Sequence, residues 1–197
     1  GITETYFFDG EEKGRDAEDR PIYKVKAEVA FCFNNSVNEL QYFHNSSFLE
    51  HGGSPDKAVK SAFVSEIDKQ IKARDKYKSN ESKIKFEDIQ DSLILITSTF
   101  STFTTYENQT KKAINHKFVQ DFMTDLIKKN LEVWFIENKQ QGDKVVDQVL
   151  INKRSRENAE KTRINIKKQL TGKVDINNRI KKFVDCRSKD TNKRELI

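Results

Sequence analysis

The chain lacks the residues that would point to a disulfide-rich, metal-binding or membrane protein. Its 197 residues include two cysteines, Cys32 and Cys186, which are too far apart to suggest a disulfide framework or a zinc site. The three histidines are not at metal-ligand spacing from them. No stretch of about 18 apolar residues is present, so no membrane span is predicted. We expect free thiols in a reducing cytoplasm and no metal site.

The first residues carry neither a basic segment nor an apolar one, so the sequence predicts no secretory signal. The chain starts at Gly1 rather than at a methionine, which we interpret as a sign that it is a piece of a longer protein. Its length fits one domain with a long appendage, or one large domain.

Charge is unevenly distributed along the chain, whose net charge is +5. Residues 1–110 contain 14 lysines and arginines against 19 acidic residues, whereas residues 111–197 contain 22 against 12. A basic half indicates an anionic partner, most often nucleic acid. An ordinary solvated basic helix explains the same charge, and composition alone does not separate the two interpretations.

The apolar patterns predict a sheet backed by helices. Apolar residues alternate over 25–33, which indicates a half-buried strand, and residues 37–45 return as a second strand that we expect to form a hairpin with the first. The continuous apolar run 93–96 predicts a central strand covered on both faces.

Three helices are predicted from spacing and end signals. Ser54, Pro55 and Asp56 form a helix start, with Ser54 as the N-cap, and a helical apolar stripe follows to residue 71. A second stripe runs over 118–134. Gly142 is expected to break the pattern before a third helix, which is polar on all sides from residue 153 to residue 163.

The stretch 108–112 is the candidate for phosphate chemistry. It follows the strand 93–100 through a loop rich in hydroxyl side chains. Lys111 offers a full positive charge with three donors, and Gln109 offers a neutral amide donor two residues away. Both side chains can reach one phosphate group. A solvated polar loop is the alternative that this stretch leaves open when it is considered alone.

Four stretches in order resemble the transducer domain of the B subunit of bacterial type II topoisomerases, DNA gyrase and topoisomerase IV. The first is Asn45-Ser46 with the Gly52-Gly53 turn before a helix, and the second, at residues 86–93, resembles the family's "ED-x-REGL" segment. The third is the family's QTK loop at residues 109–111, and the fourth, at residues 180–190, resembles the "KLADC-x-x-x-D" segment before the metal-binding Toprim domain. Together they cover most of the chain from about residue 24.

The resemblance implies an α/β fold, in which a β-α-β two-layer sandwich of the ribosomal-protein-like type is followed by a long projecting helix. We expect residues 1–141 to form the transducer domain with the QTK loop. Residues 142–172 would form the arm helix, and residues 173–197 would connect to a Toprim domain that this chain lacks.

The resemblance also implies a function in the intact, cytoplasmic enzyme. Lys111 and Gln109 would enter the pocket of ATP, bound with Mg²⁺ mainly by other domains, and contact the γ-phosphate. The implied partners are double-stranded DNA, the N-terminal ATPase domain, the Toprim domain and the A subunit, with no membrane. The basic residues expected to face DNA are Lys60, Lys153, Arg154 and Arg156.

Departures from the family pattern leave the subtype open between gyrase and topoisomerase IV. Pro55-Asp56 replaces the usual His-Leu, and residues 90–93 differ from "REGL". The chain also ends before the "EGDS" motif, so we expect it alone to neither hydrolyse ATP nor cut DNA. One alternative is a nucleic-acid-binding module with no link to ATP. Another is the middle domain of a related ATPase, of the mismatch-repair or Hsp90 type, which the 180–190 segment argues against.

Overall fold

The computed structural model describes residues 1–104 and 112–172, with side chains to Leu170. The described part is a mixed α/β structure. Its strands are β1 (Tyr6–Gly14), β2 (Tyr23–Phe33), β3 (Glu39–His44), β4 (Ser47–Phe48) and β5 (Leu93–Ser101). Its helices are α1 (Ser54–Ala73), α2 (Phe86–Gln90), α3 (Lys117–Glu137) and α4 (Lys139–Gly172). The predicted α/β class is confirmed, as is a long final helix.

The five strands form one sheet in the order β1-β2-β5-β3-β4. Strand β5 lies in the middle, as its apolar run predicts, and pairs antiparallel with β2 and parallel with β3. The parallel pair is joined through α1, which packs against α3. This arrangement brings the end of β3 beside the end of β5, with His44 opposite Thr99.

The predicted hairpin between residues 25–33 and 37–45 is wrong. β5 lies between these two strands, so they share no backbone pairing. The turn at residues 34–36 reverses the chain as expected, but a turn signal does not decide which strand fills the neighbouring position. The position beside β2 is occupied by β5, which lies about 60 residues later in the chain. This long-range pairing depends on the whole fold and has no local signal in the sequence.

The prediction that β5 is covered on both faces is also wrong. Leu93 and Leu95 are fully buried, whereas Ile96 is 46% exposed. Strand β2 shows the same alternation, with Val25, Ala27 and Val29 buried on the helix side. The sheet therefore buries one face only.

Aromatic side chains join that face of the sheet to the helices. The ring of Phe31 on β2 meets Phe63 of α1 at 5.5 Å and Trp134 of α3 at 5.7 Å, both edge to face. Such pairs contribute about 1 kcal/mol each beyond the area that they bury. The predicted apolar stripes of α1 and α3 are confirmed as core.

We expected Gly142 to interrupt the helical pattern before the third helix. Instead, α4 begins at Lys139 and continues through Gly142. A Cβ atom at position 142 would lie 2.7 Å from Cδ1 of Phe135, so the glycine permits a close approach of α4 to α3. The chain divides into two compact units, Gly1–Ser155 and Arg156–Ile197. In the second unit, residues 158–170 of α4 are exposed.

Candidate functional site

The two residues predicted to contact phosphate, Gln109 and Lys111, lie in the stretch 105–111, outside the described residues. The structure describes the residues on either side, up to Thr104 and from Lys112 onward. Both flanks contact one short segment, residues 44–54, which runs from the end of β3 to the start of α1. We call this segment the loop base.

His44 is the first residue of the loop base and is fully buried. Its Nδ1 lies 2.8 Å from Oγ1 of Thr99, and its Nε2 lies 2.9 Å from Oγ1 of Thr104. Burial, and to a smaller extent the charge of His116, lowers the pKa of His44 from 6.5 to about 4. The imidazole is therefore neutral at pH 7, with one ring nitrogen donating and the other accepting.

Asn45 extends the pairing of β3 with β5 through both its backbone, whose N–H donates to the Thr99 carbonyl at 2.8 Å, and its side chain. Its Oδ1 accepts the Ser101 N–H at 2.9 Å, and its Nδ2 donates to the Ser101 carbonyl at 3.2 Å. The same Nδ2 donates to Oγ1 of Thr104 at 2.9 Å. The residue has φ 45°, a left-handed conformation that asparagine tolerates better than most side chains. The end of β5 and Thr104 are thus held by one amide group.

On the other flank, the backbone N–H of His51 donates to the carbonyl of Lys112 at 3.0 Å. The Lys112 ammonium also pairs with Glu50. The hydrogen bond from Lys112, followed by its charge, lowers the pKa of Glu50. Both side chains are largely exposed, so this ion pair contributes little to stability.

The Gly52-Gly53 turn fixes the next part of this flank. Gly53 forms a parallel bridge with Ile114, and the Ser54 N–H donates to the Ile114 carbonyl at 2.8 Å. Gly53 has φ 79°, and a Cβ atom there would lie 2.1 Å from the Ile114 oxygen, so only glycine fits. The Ser54 hydroxyl does not cap α1 as predicted; it accepts the His116 N–H at 2.7 Å.

Asp16 completes this region by capping α3 from the β1–β2 connection. Its carboxylate accepts the Phe118 N–H at 2.9 Å and the Tyr23 hydroxyl at 2.8 Å, and lies 2.8 Å from Nδ1 of His116. Burial alone would raise the pKa of Asp16. The hydrogen bonds from these three groups outweigh burial and lower it.

The residues predicted to face DNA occupy different environments. Lys60 lies on α1 with a side chain 49% exposed, pairs with Asp56 at 2.8 Å, and stands 5.7 Å from the Phe86 ring centroid. Arg156 is half-buried and lies 3.9 Å from Glu160. The Lys60–Asp56 pair, one helical turn apart and with a half-exposed lysine, contributes little to stability.

Lys153 is fully buried, and its ammonium lies 3.2 Å from Oε1 of Glu81. Arg154 contacts both carboxylate oxygens of Glu81, at 3.0 and 3.1 Å, and donates to the Lys76 carbonyl. Hydrogen bonding from Arg154, the largest effect, together with that from Lys153, lowers the pKa of Glu81 to about 2. Lys153 has no accessible surface for a phosphate, so the structure favours a structural role for it.

Within residues 1–104 and 112–172, no three His, Cys, Asp or Glu side chains are placed to bind a metal ion. No helix in the same ranges is long and apolar enough to cross a bilayer.

A family model for DNA gyrase B matches residues 2–165, which is most of this chain. The chain belongs to the DNA gyrase B family. This membership confirms the resemblance to the B subunit of a type II topoisomerase and removes the mismatch-repair and Hsp90-type alternatives.

Individual relatives agree with the family match. The chain is 29% identical to the DNA gyrase B subunit of Clostridium acetobutylicum, over 89% of this chain and 29% of that protein. It is 26% identical to the subunit from Chlamydia pneumoniae, over 99% of this chain and 23% of that protein. The chain therefore spans less than a third of the length of these gyrase B relatives.

Two solved structures share the fold. The 43K ATPase domain of Thermus thermophilus gyrase B, in complex with an aminocoumarin, superposes with a TM-score of 0.63 at 19% identity, covering 79% of this chain and 40% of that one. The topoisomerase IV ATP-binding domain of Francisella tularensis gives 0.59 at 20% identity, covering 67% and 36%. At these identities the likeness concerns the fold alone.

Sequence reasoning did not single out His44, Asp16 or Glu81. Thr99 beside His44, Lys153 beside Glu81 and Phe118 beside Asp16 lie between 55 and 102 residues away in the chain, and no local spacing links these pairs. The signal available for His44 was its position on the buried side of an alternating strand, where an unpaired polar side chain is costly.

Proposed function

We propose that this chain is the transducer part of the B subunit of an ATP-dependent type II topoisomerase. Family membership over residues 2–165 is the observation that carries the proposal. The division into a transducer domain (1–141), an arm helix (142–172) and a connector (173–197) belongs to the proposal. The arm relays the nucleotide state to the DNA gate of the intact enzyme.

The QTK loop is the proposed contact with ATP. Lys111 neutralises charge that develops on the γ-phosphate, and Gln109 orients that group, while other domains bind most of the nucleotide and its Mg²⁺. The described flanks support this role, because Thr104 and Lys112, on either side of residues 105–111, both contact the loop base. The contact exists only while the γ-phosphate is present, so hydrolysis releases the loop.

The proposed partners are double-stranded DNA, the A subunit, and the ATPase and Toprim domains of the same chain. The proposed DNA contacts are Lys60 and Arg156, with a smaller part for Arg154, whose guanidinium is occupied by Glu81. Lys153 is left out because it is buried. Phosphate contacts of this kind make binding salt-dependent without reading sequence.

The ATPase rate of the full-length B subunit, with its A subunit and DNA, tests the proposal. Lys111→Ala is expected to lower kcat by about 10²-fold or more, as for other preorganised donors at a developing charge. Lys112→Ala is the matched control, because it removes a neighbouring lysine that pairs with an exposed glutamate. A normal rate in Lys111→Ala would contradict the γ-phosphate role.

A nucleic-acid-binding module without a link to ATP is the second candidate. The exposed final part of α4 favours it, because Lys161, Arg163, Lys167 and Lys168 all face solvent there. That function predicts salt-sensitive DNA binding by the 197-residue chain and no effect of Lys111→Ala on any ATPase. Loss of ATPase activity in Lys111→Ala decides against it.

A further inference from the structure

Within the described residues, the loop base contacts Thr104, the last residue before the stretch 105–111, through the threonine hydroxyl. Oγ1 of Thr104 lies 2.9 Å from Nε2 of His44 and 2.9 Å from Nδ2 of Asn45. On the far side, the loop base binds Lys112 and Ile114 through backbone hydrogen bonds. We propose that His44 and Asn45 are positioning residues for the γ-phosphate loop, acting through the Thr104 hydroxyl. This inference rests on the proposed function of that loop.

The hydrogen bonds around His44 have a defined direction. The Thr99 hydroxyl donates its proton to the Phe43 carbonyl at 3.0 Å, so toward His44 its oxygen acts as an acceptor. Nδ1 of His44 therefore carries the ring proton, and Nε2 is the accepting nitrogen. The Thr104 hydroxyl then donates to Nε2 and accepts from the Asn45 amide, which donates from Nδ2.

The result is one ordered chain of donors and acceptors from Asn45 to Phe43. The Asn45 amide donates to Thr104, Thr104 to His44, His44 to Thr99, and Thr99 to the backbone of β3. Each group donates a proton to the acceptor atom of the next group. Hydrogen bonds arranged in such a chain polarise and strengthen one another in a buried environment. Thr104 is the one member that adjoins residues 105–111, so the chain transmits the rigidity of the sheet to the start of the loop.

Positioning matters because the loop must reach a phosphate bound by another domain. Ordering a residue costs conformational entropy, and an anchor on each flank of the loop lowers the part of that cost that ATP binding must supply. A misplacement of about 1 Å from a distant change lowers a rate by as much as about 10²-fold. Loss of one anchor, with the far flank intact, is expected to cost about tenfold.

Thr104→Val and Thr104→Ser in the full-length B subunit, assayed with A subunit and DNA, test the inference. Valine keeps the shape and removes the hydroxyl, whereas serine keeps the hydroxyl. The expected result is an about tenfold lower kcat in Thr104→Val and rescue in Thr104→Ser. Asn45→Asp, which keeps the acceptor for the Ser101 N–H but removes the Nδ2 donor to Thr104 and to the Ser101 carbonyl, is expected to act in the same direction.

A combined variant separates positioning from general stability. If Thr104 acts through the loop, then Thr104→Val adds no further loss on a background in which both Gln109 and Lys111 are replaced by alanine. An additive loss would overturn the inference, as would a normal kcat in Thr104→Val while Lys111→Ala is impaired. If Lys111→Ala keeps its normal rate, the proposed function fails instead, and the inference fails with it. Thermal midpoints of all variants report folding, and if Thr104→Val does not fold, Asn45→Asp decides the question.

Discussion

His44 and Lys153 are both fully buried nitrogen bases, yet the protein accommodates them in opposite ways. His44 is neutral, and its two ring nitrogens contact the hydroxyl groups of Thr99 and Thr104. Lys153 lies against the carboxylate of Glu81, which also binds Arg154. An imidazole can be buried in its neutral form with neutral partners, whereas a buried ammonium requires a counter-charge.

The difference matches the tasks that we propose for the two regions. The neutral network holds a loop that must form and release a contact, and its hydrogen bonds are directional rather than strong. The ionic cluster fastens the first half of α4 to the α1–α2 connection, through Glu81 and the Lys76 carbonyl. A buried ion pair is costly to break, so it suits a fixed attachment better than a switch.

The largest expected effect comes from removing the counter-charge. Glu81→Gln removes the negative charge of a largely buried carboxylate that Lys153 and Arg154 share, and we expect the free energy of unfolding to fall by about 3–5 kcal/mol. Chemical denaturation of the 197-residue chain measures it. Glu160→Gln is the matched control, because it neutralises an exposed glutamate that faces Arg156 at 3.9 Å, and no measurable change is expected. Equal effects of the two substitutions would contradict the comparison.

The second test separates the two regions by pH. The pKa of His44 is about 4 in the folded chain against 6.5 ordinarily, so the unfolded state takes up a proton first as the pH falls. Stability from neutral His44 is therefore present above pH 6.5 and lost between about 6.5 and 4. Glu81, with a pKa of about 2 against 4.5, loses its contribution only between about 4.5 and 2.

Variants assign the two pH windows. His44→Gln is expected to flatten the loss of stability between pH 6.5 and pH 4 while leaving the more acidic window unchanged. Glu81→Gln is expected to do the reverse. The free energy of unfolding, measured at half-unit intervals of pH for both variants and the unaltered chain, provides the comparison. If the free energy of unfolding of His44→Gln varies with pH above pH 4.5 as it does in the unaltered chain, then His44 is not buried in its neutral form.

The smallest effect is expected for Lys153→Met. Methionine fills a similar volume without charge, and Glu81 keeps both of its contacts with Arg154. Replacement of a buried ion by an apolar side chain is often neutral, so the expected change is within about 1 kcal/mol. A loss as large as that in Glu81→Gln would mean that Lys153 itself, rather than the balance of charge around it, holds α4 in place.

Local patterns predicted the elements better than their assembly. The stripes of α1 and α3 and the alternation of β2 were enough to locate those elements, because burial of one face imposes a period on the sequence. The hairpin between β2 and β3 was predicted wrongly, since the insertion of β5 depends on pairing across about 60 residues. The exposure of Ile96 likewise depends on α1 and α3 packing against the opposite face of the sheet, where Phe31 contacts both helices.

The same limit applies to the candidate site. The basic run 153–156 suggested one surface for DNA, but Lys153 is buried against a glutamate 72 residues earlier. The support of the loop was equally hidden, because His44 and Thr104 are 60 residues apart. What the sequence did carry was the family, through four ordered stretches, and that prediction is confirmed by the DNA gyrase B match.

The measurement closest to the central claim compares nucleotide affinities rather than rates. In the full-length B subunit, the ratio of the Kd for ADP to the Kd for a non-hydrolysable ATP analogue isolates the contribution of the γ-phosphate. We predict that Lys111→Ala weakens binding of the analogue and leaves binding of ADP unchanged. The ratio then falls toward that of a protein that makes no contact with the γ-phosphate. A ratio that is the same in Lys111→Ala and in the unaltered protein would contradict the account.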